Sequence, residues 1–158
     1  MQEVEVWDNI FVSQLYCLYI EEQNAVIIAD LHLGYEGVLR SQGVMIPDYQ
    51  KRVIKERLEK IIKKYEPDSI IINGDFKHEF GKNLRQEWRE AKEMLEFLLQ
   101  KSKVILIKGN HDNFLKTIAS KFDVPVKMQV EMEGIVIAHG HFEIEGKRRI
   151  LALSLIHI

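Results

Sequence analysis

At 158 residues the chain lies within the range of one domain and is long enough to bury a sizeable core. An apolar share of 46% and a charged share of 29% argue against disorder, and a net charge of -2 argues against a protein that coats nucleic acid. The start, Met1-Gln2-Glu3-Val4-Glu5, lacks the basic region and apolar core of a signal peptide, and no run is long enough to span a membrane, so the cytoplasm is the expected compartment.

Leu15 to Ile20 and Ala25 to Ala29 flank the polar Glu21-Glu22-Gln23-Asn24, a pattern for two strands joined as a hairpin. Cys17, the single cysteine, falls in the first of these apolar stretches and reads as a buried, inert thiol. The second strand delivers Asp30-Leu31-His32, where two side chains at i and i+2 are expected to point the same way and chelate one ion. Gly34, Gly37, Gly43 and Pro47 then punctuate the chain. Val53, Ile54, Leu58, Ile61, Ile62 and Tyr65 recur at helical spacing and predict an amphipathic helix that ends before Pro67.

Ile70-Ile71-Ile72-Asn73 is the next strand and delivers Gly74-Asp75, so strand, helix and strand form a βαβ crossover. Leu84, Trp88, Ala91, Leu95, Leu98 and Leu99 predict a second helix, and Val104-Ile105-Leu106-Ile107 a further parallel strand. That strand delivers Lys108-Gly109-Asn110-His111-Asp112. Asn110 offers an amide oxygen, His111 an imidazole, and Asp112 a carboxylate placed to orient that imidazole. Phe114 to Ala119 predicts a short helix, and Val124 to Met132 one strand with Pro125 near its start. Ile135-Val136-Ile137-Ala138 is expected to pair with it as a hairpin and to deliver His139-Gly140-His141, so that the second half forms a second sheet packed on the first.

Taken singly, these polar residues are ordinary occupants of turns and loops. Together they bring mixed oxygen and nitrogen ligands to four strand ends, the place where open α/β sheets bind their ligands. That donor set suits one or two ions such as manganese, iron, zinc or nickel better than calcium or magnesium. A carboxylate such as Asp75, between the other strand ends, can bridge two ions about 3.5–4 Å apart, which would clamp a phosphoryl group and activate a water.

In this order, Asp30-Leu31-His32, Gly74-Asp75, Gly109-Asn110-His111-Asp112 and His139-Gly140-His141 resemble the motif series of the calcineurin-like metallophosphoesterases. The stretches Ala29 to Glu36 and Gly74 to Phe80 look like the Icc-like prokaryotic branch, which includes DNA-ligase-associated phosphoesterases. The resemblance spans Leu15 to His141. It implies an α/β fold, a sandwich of two mixed sheets flanked by helices, with a dimetal site at one edge. It also implies a phosphoesterase that uses metal-activated water and two divalent ions, manganese first among them. By motif, Asp30 and His32 would ligate one ion, Asp75 would bridge, and Asn110 and His139 would ligate the other. His111 would act on the phosphoryl group, stabilising charge or protonating the leaving oxygen, with Asp112 holding it. His141, His78 and Glu79 are candidates for supporting or substrate-facing roles, and Lys77, Lys108 and Arg40 for phosphate contacts. The implied partner is a phosphoester, with a phosphodiester, nucleotide or nucleic-acid end favoured. The alternatives are a non-enzymatic interaction scaffold of the same fold and an inactive fragment of the enzyme.

Family members continue past His139 into a Gly-His-x-His motif that completes both ion sites, and Phe142 to Ile158 contains no match to it. The reading is therefore one domain over 1–152 that lacks its C-terminal part, followed by a non-native tail over 153–158. Back-translated as CTG TCT CTT ATA CAC ATC, Leu153-Ser154-Leu155-Ile156-His157-Ile158 resembles a transposon end used in preparing sequencing libraries, and His157 is not counted as a ligand.

Overall fold

The computed structural model describes residues 2–47, 49–78, 85–132, 134–144 and 149–152. Leu84, Glu79, Phe80 and the 153–158 tail lie outside the described residues. In chain order the elements begin with strands β1 (Glu3–Trp7), β2 (Ile10–Ser13), β3 (Cys17–Ile20) and β4 (Ala25–Ile28), then helices α1 (Tyr35–Ser41) and α2 (Gln50–Tyr65). Strand β5 (Ser69–Asn73), helix α3 (Arg85–Leu99) and strand β6 (Lys103–Ile107) follow. The last part holds α4 (Leu115–Ala119), a 3-10 turn at Ser120–Phe122, and β7 (Val126–Lys127), β8 (Gln129–Met132), β9 (Ile135–Ala138) and β10 (Arg149–Ala152).

Among the described residues these strands form a seven-stranded sheet in the order β1-β2-β3-β4-β5-β6-β7 and a three-stranded sheet in the order β10-β9-β8. β1 to β4 are joined antiparallel, and β4 to β7 run parallel. The β3–β4 hairpin and the two βαβ crossovers agree with the apolar pattern of the sequence. In the smaller sheet β8 pairs antiparallel with β9, as expected, while β10 adds parallel to β9.

The expected single strand over Val124 to Met132 is corrected. Its two parts belong to different sheets: β7 pairs with β6, and after Met128 the chain passes into β8. A period of two says which way side chains alternate and is silent about which sheet a strand joins.

The parallel strands read as continuous apolar runs because both of their faces are covered. Val26, Ile28, Ile70, Ile72, Val104 and Leu106 face the helices, where they pack with Leu58 and Ile61 of α2 and Leu95 and Leu98 of α3. The alternate residues Ala25, Ile27, Ile71 and Ile107 turn to the other face and meet Val130, Ile135 and Ile137 of the smaller sheet. The seven-stranded sheet is thus the middle layer between helices and the second sheet. The carboxyl ends of β4, β5, β6 and β9 reach the same edge.

Candidate metal centre

Two loops at that edge are stitched together by backbone hydrogen bonds that carry the β4–β5 pairing past the strand ends. Asp30 N–H donates to Gly74 (3.1 Å), His32 to Asp75 (2.8 Å), Leu33 to Phe76 (3.0 Å) and His78 to Leu33 (3.1 Å). Asp30, His32 and Asp75 all have left-handed backbones, with φ of 53°, 44° and 48°. Such values are uncommon outside glycine and mark backbone held by its surroundings.

Two glycines are required here by space. A Cβ on Gly74, whose φ is +83°, would stand 2.0 Å from Nδ1 of His139. On Gly109 it would stand 2.2 Å from Oδ1 of Asp75. The Gly-Asp and Gly-Asn dipeptides therefore clear the room that His139 and Asp75 occupy.

Asp75 is the centre of the arrangement. Its Oδ2 lies 3.4 Å from Nε2 of His139 and 3.8 Å from Nε2 of His32, while Oδ1 accepts the His111 backbone N–H at 3.0 Å. Burial alone would raise the Asp75 carboxyl, but the His139 hydrogen bond and the His111 amide outweigh it and bring it down to about 2. The same contact to Asp75 raises His139 to about 9 against the opposing effect of burial. Burial and the neighbouring His139 charge lower His141, whose ring lies 5.4 Å from that of His139.

His139 is placed by both sheets. Its Nδ1 meets the backbone carbonyl of Asn73 at 3.1 Å and lies 3.7 Å from Oδ1 of Asp30, and its Nε2 meets Oδ1 of Asn110 at 3.1 Å. The fully buried Asn73 side chain donates its amide to the carbonyl of Ala138 at 3.0 Å, tying the end of β5 to the end of β9.

The candidate ligands gather into two groups whose ligand atoms lie within 4.8 Å of one another: Asp30 with Asp75 and His139, and His32 with His78 and His111. The two ends of the Asp-x-His tripeptide so fall in different groups. The left-handed backbone at both residues breaks the strand pleat that would have pointed them the same way. His78, expected in a supporting or substrate-facing role, lies within the site: its Nδ1 is 3.3 Å from Nδ1 of His32.

Two expectations are corrected. Asp112 does not hold the His111 imidazole. It is buried, its oxygens accept the backbone N–H groups of Lys77 (3.2 Å) and Gly109 (2.8 Å), and Nδ1 of His111 meets the carbonyl of His78 at 2.8 Å. Burial pushes the Asp112 carboxyl up, and the two amides offset part of that. Lys77 is fully buried with Nζ 3.5 Å from Glu87, which is buried too, so it ties the Asp75 loop to α3 and is out of reach of a phosphate. Arg40 sits in the last turn of α1, beside a groove lined by Gly43 to Pro47.

The residues fit divalent ions on the structure's own terms. His139 turns Nδ1 to a backbone carbonyl and Nε2 to oxygen donors, the usual posture of a metal-ligating histidine. The donors are a mixture of carboxylate, amide and imidazole suited to first-row transition ions.

The calcineurin-like phosphoesterase family matches over residues 24–154. The structure superposes on nuclease MPE of Pseudomonas putida with a TM-score of 0.74 and 21% identity, covering 96% of this chain and 71% of that one. It also matches AQ665, a protein of unknown function from Aquifex aeolicus, with a TM-score of 0.46 and 23% identity over 73% of this chain and 59% of that one. No match was found among curated proteins. Among the described residues no helix is long and apolar enough to cross a membrane.

Proposed function

The chain belongs to the calcineurin-like phosphoesterase family, and from that premise we propose that it hydrolyses a phosphodiester, with a nucleotide or nucleic-acid end as the substrate class. The observation that carries this reading is the position of Asp75 Oδ2 between His139 and His32, at 3.4 and 3.8 Å. A carboxylate so placed can serve both ligand groups at once. The similarity to a nuclease in fold supports the choice of a nucleic-acid type of ester.

Asp30, Asp75, Asn110 and His139 would hold one ion, and His32 with Asp75 the other, with His78 supporting His32. Manganese is the first candidate. When bound, such ions supply Lewis acidity towards a phosphoryl oxygen and a water nucleophile at neutral pH.

The protein's own residues then have separate tasks. His78, through its carbonyl on Nδ1, sets the His111 ring and leaves Nε2 as the nitrogen for the phosphoryl group. His111 hydrogen-bonds the phosphoryl oxygens or gives its proton to the leaving oxygen. Asp112 acts one step back, holding the Gly109 and Lys77 amides so that the two loops keep their spacing. The test is elemental analysis of the manganese-loaded protein together with turnover of bis(p-nitrophenyl) phosphate. Two ions per chain with turnover supports the reading, and a stoichiometry that never exceeds one counts against it.

A further inference from the structure

A cavity of about 980 Å³ opens beside the ligand groups, between the loop after β4 and helices α1 and α2. Asp30, His32 and His78 belong to its lining as well as to the metal centre. A phosphoryl group held at those residues would present the group it esterifies to this space. The volume is that of a site for a drug-sized molecule. Ile28, Leu58 and Ile61 line it and are buried, and Val53 and Ile54 continue the apolar wall along α2.

Aromatic faces interrupt that wall. Tyr35, Tyr49 and Tyr16 line the cavity and stay 41%, 54% and 45% exposed; the Arg52 guanidinium lies 4.9 Å from the centre of the Tyr49 ring, whereas among the described residues Tyr35 has no guanidinium among its ring contacts. The Tyr35 ring lies 4.4 Å from that of His78, which in turn stacks on His111 at 5.5 Å and 20°. A row of rings, with Tyr35 tilted 58° to His78, thus leads from the phosphoryl end into the cavity. Elsewhere in the wall the Arg57 guanidinium lies 4.7 Å from the centre of the Tyr16 ring. The Glu36 carboxylate accepts the backbone N–H groups of Tyr49 (3.0 Å) and Gln50 (2.8 Å), which fixes the start of α2 against α1 and so the width of the opening.

An alkyl chain needs apolar surface alone. Tyrosine rings with a guanidinium and an amide among the apolar groups suit a flat heterocycle, whose faces stack and whose edges carry donors and acceptors. We propose that this cavity binds the nucleoside joined to the scissile phosphoryl group, with its base against Tyr35. The inference rests on the phosphoesterase reading above and deepens it by naming the cavity that receives the nucleoside and the ring its base meets.

The test is a titration of the metal-free 158-residue chain with adenosine 5′-monophosphate, followed by backbone amide NMR shifts. The expected result is shifts centred on Tyr35, Val53 and Ile54, with affinity lowered roughly 5-fold or more by Tyr35→Ala, the loss of one base stack. Val53→Trp, which fills the cavity, should weaken binding as well, and melting curves of both variants show whether they fold. Absent shifts at these positions would overturn the proposal. So would octyl phosphate shifting the same amides at higher affinity, which would make the cavity an alkyl site. Turnover with manganese is measured separately on methyl p-nitrophenyl phosphate and thymidine 5′-(p-nitrophenyl phosphate). A higher kcat/KM for the nucleoside ester, reduced towards parity in both variants, supports the proposal. Equal kcat/KM for both esters in the parent chain sinks the nucleoside pocket and leaves the phosphoesterase standing. No turnover of either ester removes the phosphoesterase reading, while the binding titration still decides the cavity.

Discussion

The backbone carbonyl of Asn73 stands 3.1 Å from Nδ1 of His139, so the residue that ends β5 also sets the tautomer of the residue that follows β9. The side chain of Asn73 secures the same junction through the Ala138 carbonyl. Asn73→Ala should leave that carbonyl without its partner, at about 1–3 kcal/mol of stability. The backbone carbonyl that holds Nδ1 of His139 survives this change, so metal binding should weaken only through the loosened β5–β9 junction, by less than the roughly 10–100-fold that loss of an orienting partner itself brings. Denaturant unfolding and calorimetric titration with manganese measure the two effects, and unchanged stability would contradict the role given to the Asn73 side chain.

Asp75 and His111 should part company on mutation. Asp75→Asn removes the carboxylate that faces both His139 and His32 and should lose metal. His111→Ala should keep metal and lose turnover by about 10²–10⁴-fold. Full activity of His111→Ala on an ester with a poor leaving group would end its proposed role.

The Asp75 and His139 shifts give a pH profile with a sign. In the metal-free chain Asp75 is depressed from 3.8 to about 2, so its contribution is present above 3.8 and is lost as pH falls through 2. His139 is raised from 6.5 to about 9, so its contribution is complete below 6.5 and is lost as pH rises through 9. Metal must displace the His139 proton, so the stabilisation added by manganese should grow from pH 6.5 to 9. Melting temperatures with and without manganese across that range check this, and a constant difference would contradict it.

Lys77 and Glu87 form an ion pair out of contact with water. Lys77→Met should strand the Glu87 charge at a cost of about 3–5 kcal/mol, and the double change with Glu87→Leu should recover most of that loss. A double-mutant cycle on unfolding free energies tests it, and additive losses would rule out the coupling.

Cys17 is buried, and burial pushes its thiol up to about 11. A thiol reagent at pH 8 should modify it only in denaturant. Rapid labelling of the folded chain would show that β3 opens readily.

The parts of the fold legible in the sequence are the strands buried on both faces and the amphipathic helices α2 and α3 that cover them. β4, β5, β6 and β9 announce themselves as unbroken apolar runs, and their polar termini mark the site. β1 does carry an alternation, Glu3-Val4-Glu5-Val6, but it is short and both of its faces stay largely exposed, Val4 at 63%, so it has no buried run like those of the central strands. Asp112 misled because neighbours in sequence need not touch: the tight turn after Gly109 folds its carboxylate back on amides. A signal for Asn73 did exist, a lone polar residue ending an apolar strand, and it went unused. The cavity between α1 and α2 depends on how two helices sit on a sheet, which periodicity does not encode.

The backbone ladder between the two loops has a consequence for how this site tolerates change in chain length. Because Asp30, His32, Asp75 and His78 ride on loops joined by successive backbone rungs, whose register slips by one residue between Asp30 and His32, a further residue added in either loop would slide every later rung by a step. Each ligand would then face a partner chosen for another position. Point substitutions here alter one donor at a time, whereas a single insertion or deletion would dislocate both ligand groups together, so the length of these loops is as much a part of the chemistry as the side chains they carry.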